Sequence, residues 1–472
     1  IEPILLMMIN FQKHKLVYLL LSLIFLASCD DKKEKEADNE KELITPPIKS
    51  KNLMIFDIDT KGKEILDEPK ILSELIISQD DDTLYNGYIG IEKRGSSSQY
   101  FYEKKQYGVE TWDMNGADID VSLAGLPKEE DWIFYAPFSD KSLIRNTLIY
   151  SLSNNMGRYA SRSKFMEVNI NDDYKGVYSL FEKIKVDKHR VNISKTQSEK
   201  GNETGYILKI DKPTGEAVDS YNDYNDQMSF LSNYDPYGNY KNNKTGSKIY
   251  FVYHYPKPED ISIEQKDFIR SLINEFEDVL ISDNFNDRYN GYRRYIDIDS
   301  FVDFFILNEL SNNVDAYRLS TFIHKDISGK LTMGPIWDYN LAFGNANYCN
   351  GDAIDKWMCK FNDYCQGDLW MVPFWWQRLM EDDLFKEKIV DRWFSLRENT
   401  LSNDSIFQLI AELVEKLKSS GSVDRNFLRW PILGKWIWPN AFVGSNYDEE
   451  IDYLSTWLLN RLLWIDNNIE SL

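Results

Sequence analysis

Residues 299–310 read DSFVDFFILNEL, and Phe301, Val302, Phe304, Phe305, Ile306 and Leu307 leave this helical stretch without a polar face. A helix that is apolar all round is stable only when neighbouring segments cover every side of it. The chain must therefore build a core thick enough to enclose a helix. With 472 residues, 43% of them hydrophobic, it has the material for one large domain or two to three ordinary ones. The formal charge of −21 excludes a general nucleic-acid binder, because such a chain repels a phosphate backbone. The four histidines, His14, His189, His254 and His324, are too dispersed for a three-histidine zinc site. A metal here is expected to be hard and oxygen-ligated, such as Mg²⁺, Mn²⁺ or Ca²⁺.

Upstream of that helix the pattern is mostly strand-like, from Leu53 to about Ile184. Residues 165–170 alternate, an Asn-Asp-Asp-Tyr-Lys-Gly turn follows, and residues 177–181 return, which predicts a hairpin. A helix is expected over 141–156, a strand over 205–210 and a long polar loop or flap over 221–247. Residues 262–281 carry a capping-box pair, Ser262 and Gln265, and one apolar stripe, so a helix is expected there. Beyond Gly367 the chain reads as helical and rich in Trp. The expected class is α+β, with a strand-rich N-lobe, a helical C-lobe and a helical C-terminal extension over 381–472.

Chemistry concentrates in residues 312–344, NNVDAYRLSTFIHKDISGKLTMGPIWDYNLAFG. The buried helix ends in a loop holding Asp315. Residues 319–325 and 331–336 read as a hairpin, and Asp338 and Asn340 follow it. A hairpin brings its ends together, so the two carboxylates should share one edge. Phosphoryl transfer uses such a pair: one Asp receives or orients the acceptor's proton, the other binds the Mg²⁺ that bridges the phosphates. Turn residues flanking a hairpin are also commonly Asp, and the pattern alone leaves both readings open. Arg94, Gly95, Ser96 and Ser97 form a small-residue loop whose N–H groups could approach phosphate, with Lys104 and Lys105 following. An ordinary Ser-rich turn with solvated lysines has the same composition. Arg145 and Glu182 are candidates for an ion pair near a phosphate-binding lysine, or for a surface pair of little consequence.

The N-terminus reads as an address. Lys13, His14 and Lys15 precede an apolar run over 16–26, then Ala27, Ser28 and Cys29. The run is too short for a permanent membrane span, and its order is that of a secretory signal. Residues 26–29, LASC, resemble the bacterial lipobox, in which the Cys is lipidated and becomes the mature N-terminus; Met8 is the better-proportioned start. Residues 1–29 are thus expected to be a lipoprotein signal. The charged stretch over 30–52 is expected to be a solvated tether, and it resembles the surface-export signal of Bacteroidetes lipoproteins. The expected location is the outer membrane, at the cell surface or on the periplasmic face. Of the other cysteines, Cys349 and Cys365 would close a loop rich in Asn, Asp and Gly and are the preferred disulfide pair, leaving Cys359 as a thiol.

Six ordered stretches resemble the spore-coat protein H (CotH) kinase family, in its exported bacterial lipoprotein branch. They are Arg94-Gly-Ser-Ser-Ser with Lys104-Lys105-Gln-Tyr107, WIFYAPFSDKSLIRN at 132–146, FMEVNINDDYKGVYSLFEK at 165–183, Gly205-Tyr-Ile-Leu, NELSNNVDAYRLS at 308–320, and MGPIWDYNLAFGN at 333–345. The resemblance implies an atypical, two-lobed protein-kinase-like fold, with the kinase-like domain over 53–380. It implies ATP with Mg²⁺ or Mn²⁺ as cofactors and phosphate transfer to Ser or Thr of a protein substrate. Asp315 matches the catalytic-loop Asp and Asp338 the metal-binding Asp. Ser320 stands where many kinases have a metal-binding Asn, with Asn340 or Asn345 as the substitute. Arg94, Gly95, Ser96, Ser97, Lys104, Lys105, Arg145 and Glu182 are expected around the nucleotide. A monomer is expected. The alternative from another class is a kinase-like surface lipoprotein that binds glycan or protein without turnover.

If Cys29 carries the lipid, Cys29→Ser releases the protein from membranes; a variant that still sediments with the outer membrane after detergent-free washing removes the lipoprotein reading.

Overall fold

Strands β1 (Met54–Asp59), β2 (Ile71–Gln79), β3 (Asp82–Arg94) and β4 (Gln106–Trp112) each bury one alternating face. Phe56, Ile58, Leu75, Ile77, Ile89, Ile91 and Val109 from those faces meet Trp132 and Phe134 of β5 (Asp131–Tyr135). A sheet with one apolar face can cover it by curling onto itself. Here it does: β6 (Ser163–Ile170) and β7 (Asp173–Glu182) complete a closed barrel in the order β1-β2-β3-β4-β5-β7-β6. Closure comes from a parallel pairing in which Phe56 faces Val168. This computed structural model describes residues 52–95, 97–195, 204–213, 224–240 and 246–472, with the side chain of Ser97 excepted. Ser50–Leu472 form one compact unit. The expectations for Cys29, the signal, the tether and Ser96 lie outside the described residues.

A second, five-stranded sheet runs in the order β12-β11-β8-β10-β9. Its strands are β8 (Tyr206–Ile210), β9 (Ser229–Leu231), β10 (Tyr250–Tyr255), β11 (Thr321–Lys325) and β12 (Thr332–Met333). The expected flap over 221–247 is therefore partly sheet. Its Phe230 is buried against Phe251, with ring centroids 5.1 Å apart, and that contact draws β9 onto β10. The returning hairpin strand is shorter than expected, only two residues, with Ile323 opposite Met333.

The helices are α1 (Ser97–Phe101), α2 (Arg145–Asn155), α3 (Ile263–Ile281), α4 (Ile298–Ser311), α5 (Phe361–Tyr364), α6 (Trp375–Leu379), α7 (Asp383–Arg397), α8 (Asn403–Ser419), α9 (Ser422–Arg429) and α10 (Tyr447–Asn468). Among the described residues none is long and apolar enough to cross a membrane. Ser262 and Gln265 make the expected capping box on α3. Helix α2 begins four residues later than expected, because the Asp140 carboxylate takes the N–H groups of Ser142 and Arg145 and holds 140–144 as a loop. Helix α4 is the enclosed helix: Ser300 through Ser311 are all buried. Phe301 and Phe304 pack on Trp376 of α6, with centroids 5.7 and 5.9 Å away.

The C-terminal helices lock onto the segments that flank α4. Arg461 of α10 is fully buried and pairs with Glu309 at 3.3 Å, also donating to the Glu309, Ile354 and Lys356 carbonyls. Gly344 lies where an added Cβ would meet the Trp457 indole at 2.5 Å, so only glycine allows that helix to sit so close.

Removing one partner of a buried ion pair leaves the other charge uncompensated, so Arg461→Met should cost about 3–5 kcal/mol at pH 7. Burial already raises the Glu309 carboxyl, and Arg461 opposes that shift. Without Arg461 the folded-state pKa climbs further, so the deficit belongs to the ionised form and shrinks as pH falls through that pKa. Urea melts of both proteins at pH 7 and pH 5 check this: the gap between them should narrow at pH 5.

Candidate functional site

A cavity of about 1230 Å³ lies between the barrel's β3 end, α2 and the hairpin of β11 and β12. It exceeds the roughly 300–1,000 Å³ usual for a small-molecule site. Asp315, Ser320, Asp338 and Asn340 all line it, as do Arg94 and Gly95 from the opposite side. The two carboxylates that flank the hairpin thus open on one space.

Each is set by unusual backbone. Helix α4 ends at Asn312 in the left-handed region, φ 45°. In the loop that follows, the Asn313 side chain accepts the Asp315 N–H at 3.2 Å. Tyr317 and Ser320 also have positive φ, 67° and 46°. Tyr317 is fixed by donating its hydroxyl to Glu309 at 2.8 Å. Asp338 itself has φ 65°, and such strain in non-glycine residues persists only where neighbours over-determine it. Here α2 does so. Tyr150 Oη accepts the Asp338 N–H at 3.0 Å and Asn146 Oδ1 accepts the Tyr339 N–H at 2.6 Å. Trp337 stacks on Tyr150, with centroids 5.9 Å apart.

The electrostatics separate the two acids. Burial raises the Asp338 carboxyl, and the charge of Asp315 adds to it, to about 7, against the pull of Arg94 and Lys212. Among the described residues no donor bonds to this carboxylate. Asp315 is raised by burial too, but the Arg318 guanidinium, 2.9 Å from its Oδ1, opposes the shift. Asp338, Asn340 and Ser320 offer a carboxylate, an amide and a hydroxyl, a donor set suited to a hard divalent cation. Among the described residues, no third His, Cys, Asp or Glu joins the two acids in a cluster with ligand atoms within 4.8 Å. A cation held there would complete its shell from phosphate and water oxygens, as Mg²⁺ does.

Other expected residues lie away from the cavity. Lys104 is buried behind the barrel, where its ammonium donates to the Val177 carbonyl and to Asn426 Oδ1. Lys105 donates to the carbonyls of Gln99 and Tyr102, because the end of α1 presents unpaired carbonyls to a nearby cation. That helix was unforeseen: it turns the chain between Gly95 and β4 and carries both lysines away from the cavity. Arg145 pairs with Asp140 at 2.6 Å and donates to the Ala342 carbonyl, so it buttresses the segment after Asp338 from behind. Glu182 pairs with Arg162, not with a lysine. Cys349 and Cys365 form a disulfide, Cα–Cα 5.5 Å, and Cys359 is free.

The cations that do line the cavity are Arg94, Lys183, Lys209, Lys212 and Arg318, with Asp211 and Asp368 among them. Sequence reasoning missed Lys209, in β8, and Asp211 and Lys212, which follow that strand without any local motif. It also missed Arg318, although an Arg three residues after a candidate catalytic Asp is a legible signal. His254 lines the cavity as well. Its Nε2 lies 3.0 Å from the Ile184 carbonyl, and burial lowers its pKa to about 4, so it is neutral at physiological pH.

The family model described as CotH kinase protein matches residues 91–465. No curated protein matches the chain. A crystal structure of the Helicobacter pylori proinflammatory kinase CtkA is similar at 10% identity, over 77% of this chain and 93% of that one, with a TM-score of 0.29. That score is too low to bear on the fold.

A group whose folded-state pKa is raised stabilises the protein below its unfolded pKa and loses that contribution as pH rises through the folded value. For Asp338 the window runs from the ordinary 3.8 to about 7. In metal-free protein, Asp338→Asn should therefore be more stable than wild type at pH 8, by about 1–3 kcal/mol. The advantage should vanish at pH 4. Denaturant melts in chelator at both pH values test this, and equal stability at pH 8 would remove the buried-charge account.

Proposed function

Because the chain belongs to the CotH kinase family, we propose that it is an exported, ATP-dependent protein kinase that transfers phosphate to Ser or Thr hydroxyls. The observation that carries this reading is the convergence of Asp315 and Asp338 on one cavity, opposite Arg94 and Gly95. The barrel and the helix-rich remainder serve as the two lobes of an atypical kinase, with the cavity as the nucleotide cleft. Asp315 accepts the hydroxyl proton while the oxygen–phosphorus bond forms and the bond to the departing ADP oxygen breaks. Asp338, Asn340 and Ser320 would hold a Mg²⁺ or Mn²⁺ ion, which would supply charge neutralisation for the phosphates. Arg94 and Lys212 take the phosphate-binding part that Lys104 and Lys105 do not fill. Gly95, with φ 106°, lets the loop approach, since an added Cβ would meet Ser98 Oγ at 2.2 Å. A Cys29 lipid would place the enzyme at the outer membrane, as a monomer facing protein substrates.

Two substitutions test the assignment. Asp315→Asn should keep ATP affinity within about threefold and lower turnover by roughly 10²-fold or more, since the amide cannot accept the proton. Asp338→Ala should lose metal-dependent nucleotide binding and turnover together. Calorimetry with ATP and Mn²⁺, beside phosphate transfer to dephosphorylated casein, reads both. Wild-type transfer in both folded variants rejects the kinase reading. Wild-type protein that binds no nucleotide favours the alternative, a kinase-like lipoprotein that binds glycan or protein.

A further inference from the structure

The Arg318 guanidinium is 2% exposed, and four of its five N–H groups have acceptors within the chain. Nε donates to the Val314 carbonyl at 2.9 Å and Nη2 to Asp315 Oδ1 at 2.9 Å. Nη1 donates to Asp368 Oδ1 at 3.2 Å and to the Trp370 carbonyl at 3.1 Å. The Phe361 ring lies beneath it, 4.3 Å from the guanidinium carbon. One end of this planar fork thus holds one oxygen of Asp315. Among the described residues no donor bonds to the other oxygen, Oδ2, which leaves it for an incoming hydroxyl. The far end of the fork is held by Asp368, whose N–H donates to the carbonyl of disulfide-bonded Cys365 at 3.1 Å.

Resting on the reading of Asp315 as proton acceptor, we propose that Arg318 is the positioning residue that aims Asp315, and that Asp368 is its anchor. An ordinary ion pair would need only one acid. Two acids on opposite ends of one buried guanidinium fix its plane, and with it the direction of the free Asp315 oxygen. The inference assigns a catalytic consequence to the segment just beyond the Cys349–Cys365 disulfide, where Asp368 and Trp370 lie.

Misplacing a catalytic group by about 1 Å costs on the order of 10²-fold in rate, so Arg318→Met should lower turnover by roughly 10- to 100-fold. Nucleotide affinity should stay within about threefold, because the contacts to phosphate and metal lie elsewhere. Arg318→Lys, a point charge without the fork, should recover part of the loss, and Asp368→Asn should lose about 3- to 10-fold. The deciding measurement repeats these variants in an Asp315→Asn background, reading single-turnover transfer to casein, calorimetric ATP affinity and thermal melts. A residue that acts by aiming Asp315 has nothing left to aim, so the substitutions should there change transfer less than about twofold. Undiminished losses in that background, or wild-type transfer in folded Arg318→Met, overturn the inference. Should Arg318→Met fail to fold, Arg318→Lys and Asp368→Asn decide by the same comparison. If Asp315→Asn alone transfers at the wild-type rate, the reading of Asp315 as proton acceptor falls and the inference falls with it; if Asp315→Asn is impaired and only the background comparison fails, that reading stands without the inference.

Discussion

The buried carboxylate of Glu309 is the point on which the helix-rich half of the molecule is assembled. It sits near the end of α4 and receives the Tyr317 hydroxyl, the N–H groups of Met358 and Cys359, and the guanidinium of Arg461. Those four donors come from the Asp315 loop, the segment between the disulfide cysteines and the C-terminal helix. Taking a carboxylate out of water is costly unless its oxygens are saturated. The three segments therefore hold their places jointly, since withdrawing any one donor leaves the charge less compensated. The apolar surface of α4 supplies the driving force for enclosure, and Glu309 supplies the register.

Charge in the cleft is balanced where the whole chain is not. The protein carries a formal charge of −21, yet the cavity lining sets Arg94, Lys183, Lys209, Lys212 and Arg318 against Asp67, Asp211, Asp315, Asp338 and Asp368. An anion entering the cleft meets individual fixed cations and no net positive field. Within it, Asp338 is left with more negative charge than its neighbours cancel, whereas Asp315 has a guanidinium in direct contact, shared with Asp368. The same residue type is thereby suited to two tasks, one awaiting a cation and one already balanced.

What the sequence disclosed was local. The enclosed helix, the Ser262 capping box, the hairpin ends at Asp315 and Asp338 and the cysteine pair each rest on spacings of a few to two dozen residues. Closure of the barrel was not legible, because Phe56 and Val168 pair across 112 positions and nothing in either strand names its partner. Lys104 and Lys105 were misplaced because the one-turn helix after Gly95 rotates the chain, and five residues with Ser and aromatic side chains give no periodicity to detect. Asp211, Lys212 and Asp368 reach the cavity by tertiary packing alone. Arg318 was readable in principle, since its partner is three residues away, but its second acid is fifty positions on.

The placement of Arg461 and Trp457 also orders events in time. A chain made from its N-terminus can close the barrel once residue 182 is available, well before α10 exists. The loop bearing Asp315 waits for a guanidinium 146 residues downstream, and the segment bearing Asp338 waits for the indole that fills the space over Gly344. The barrel side of the cleft, with Arg94, is thus available early and the side bearing the two acids last. A polypeptide still lacking residues 447–468 has every barrel strand but neither the Arg461 guanidinium nor the Trp457 indole, so the segments bearing the two acids are the last parts of the cleft to gain their supports.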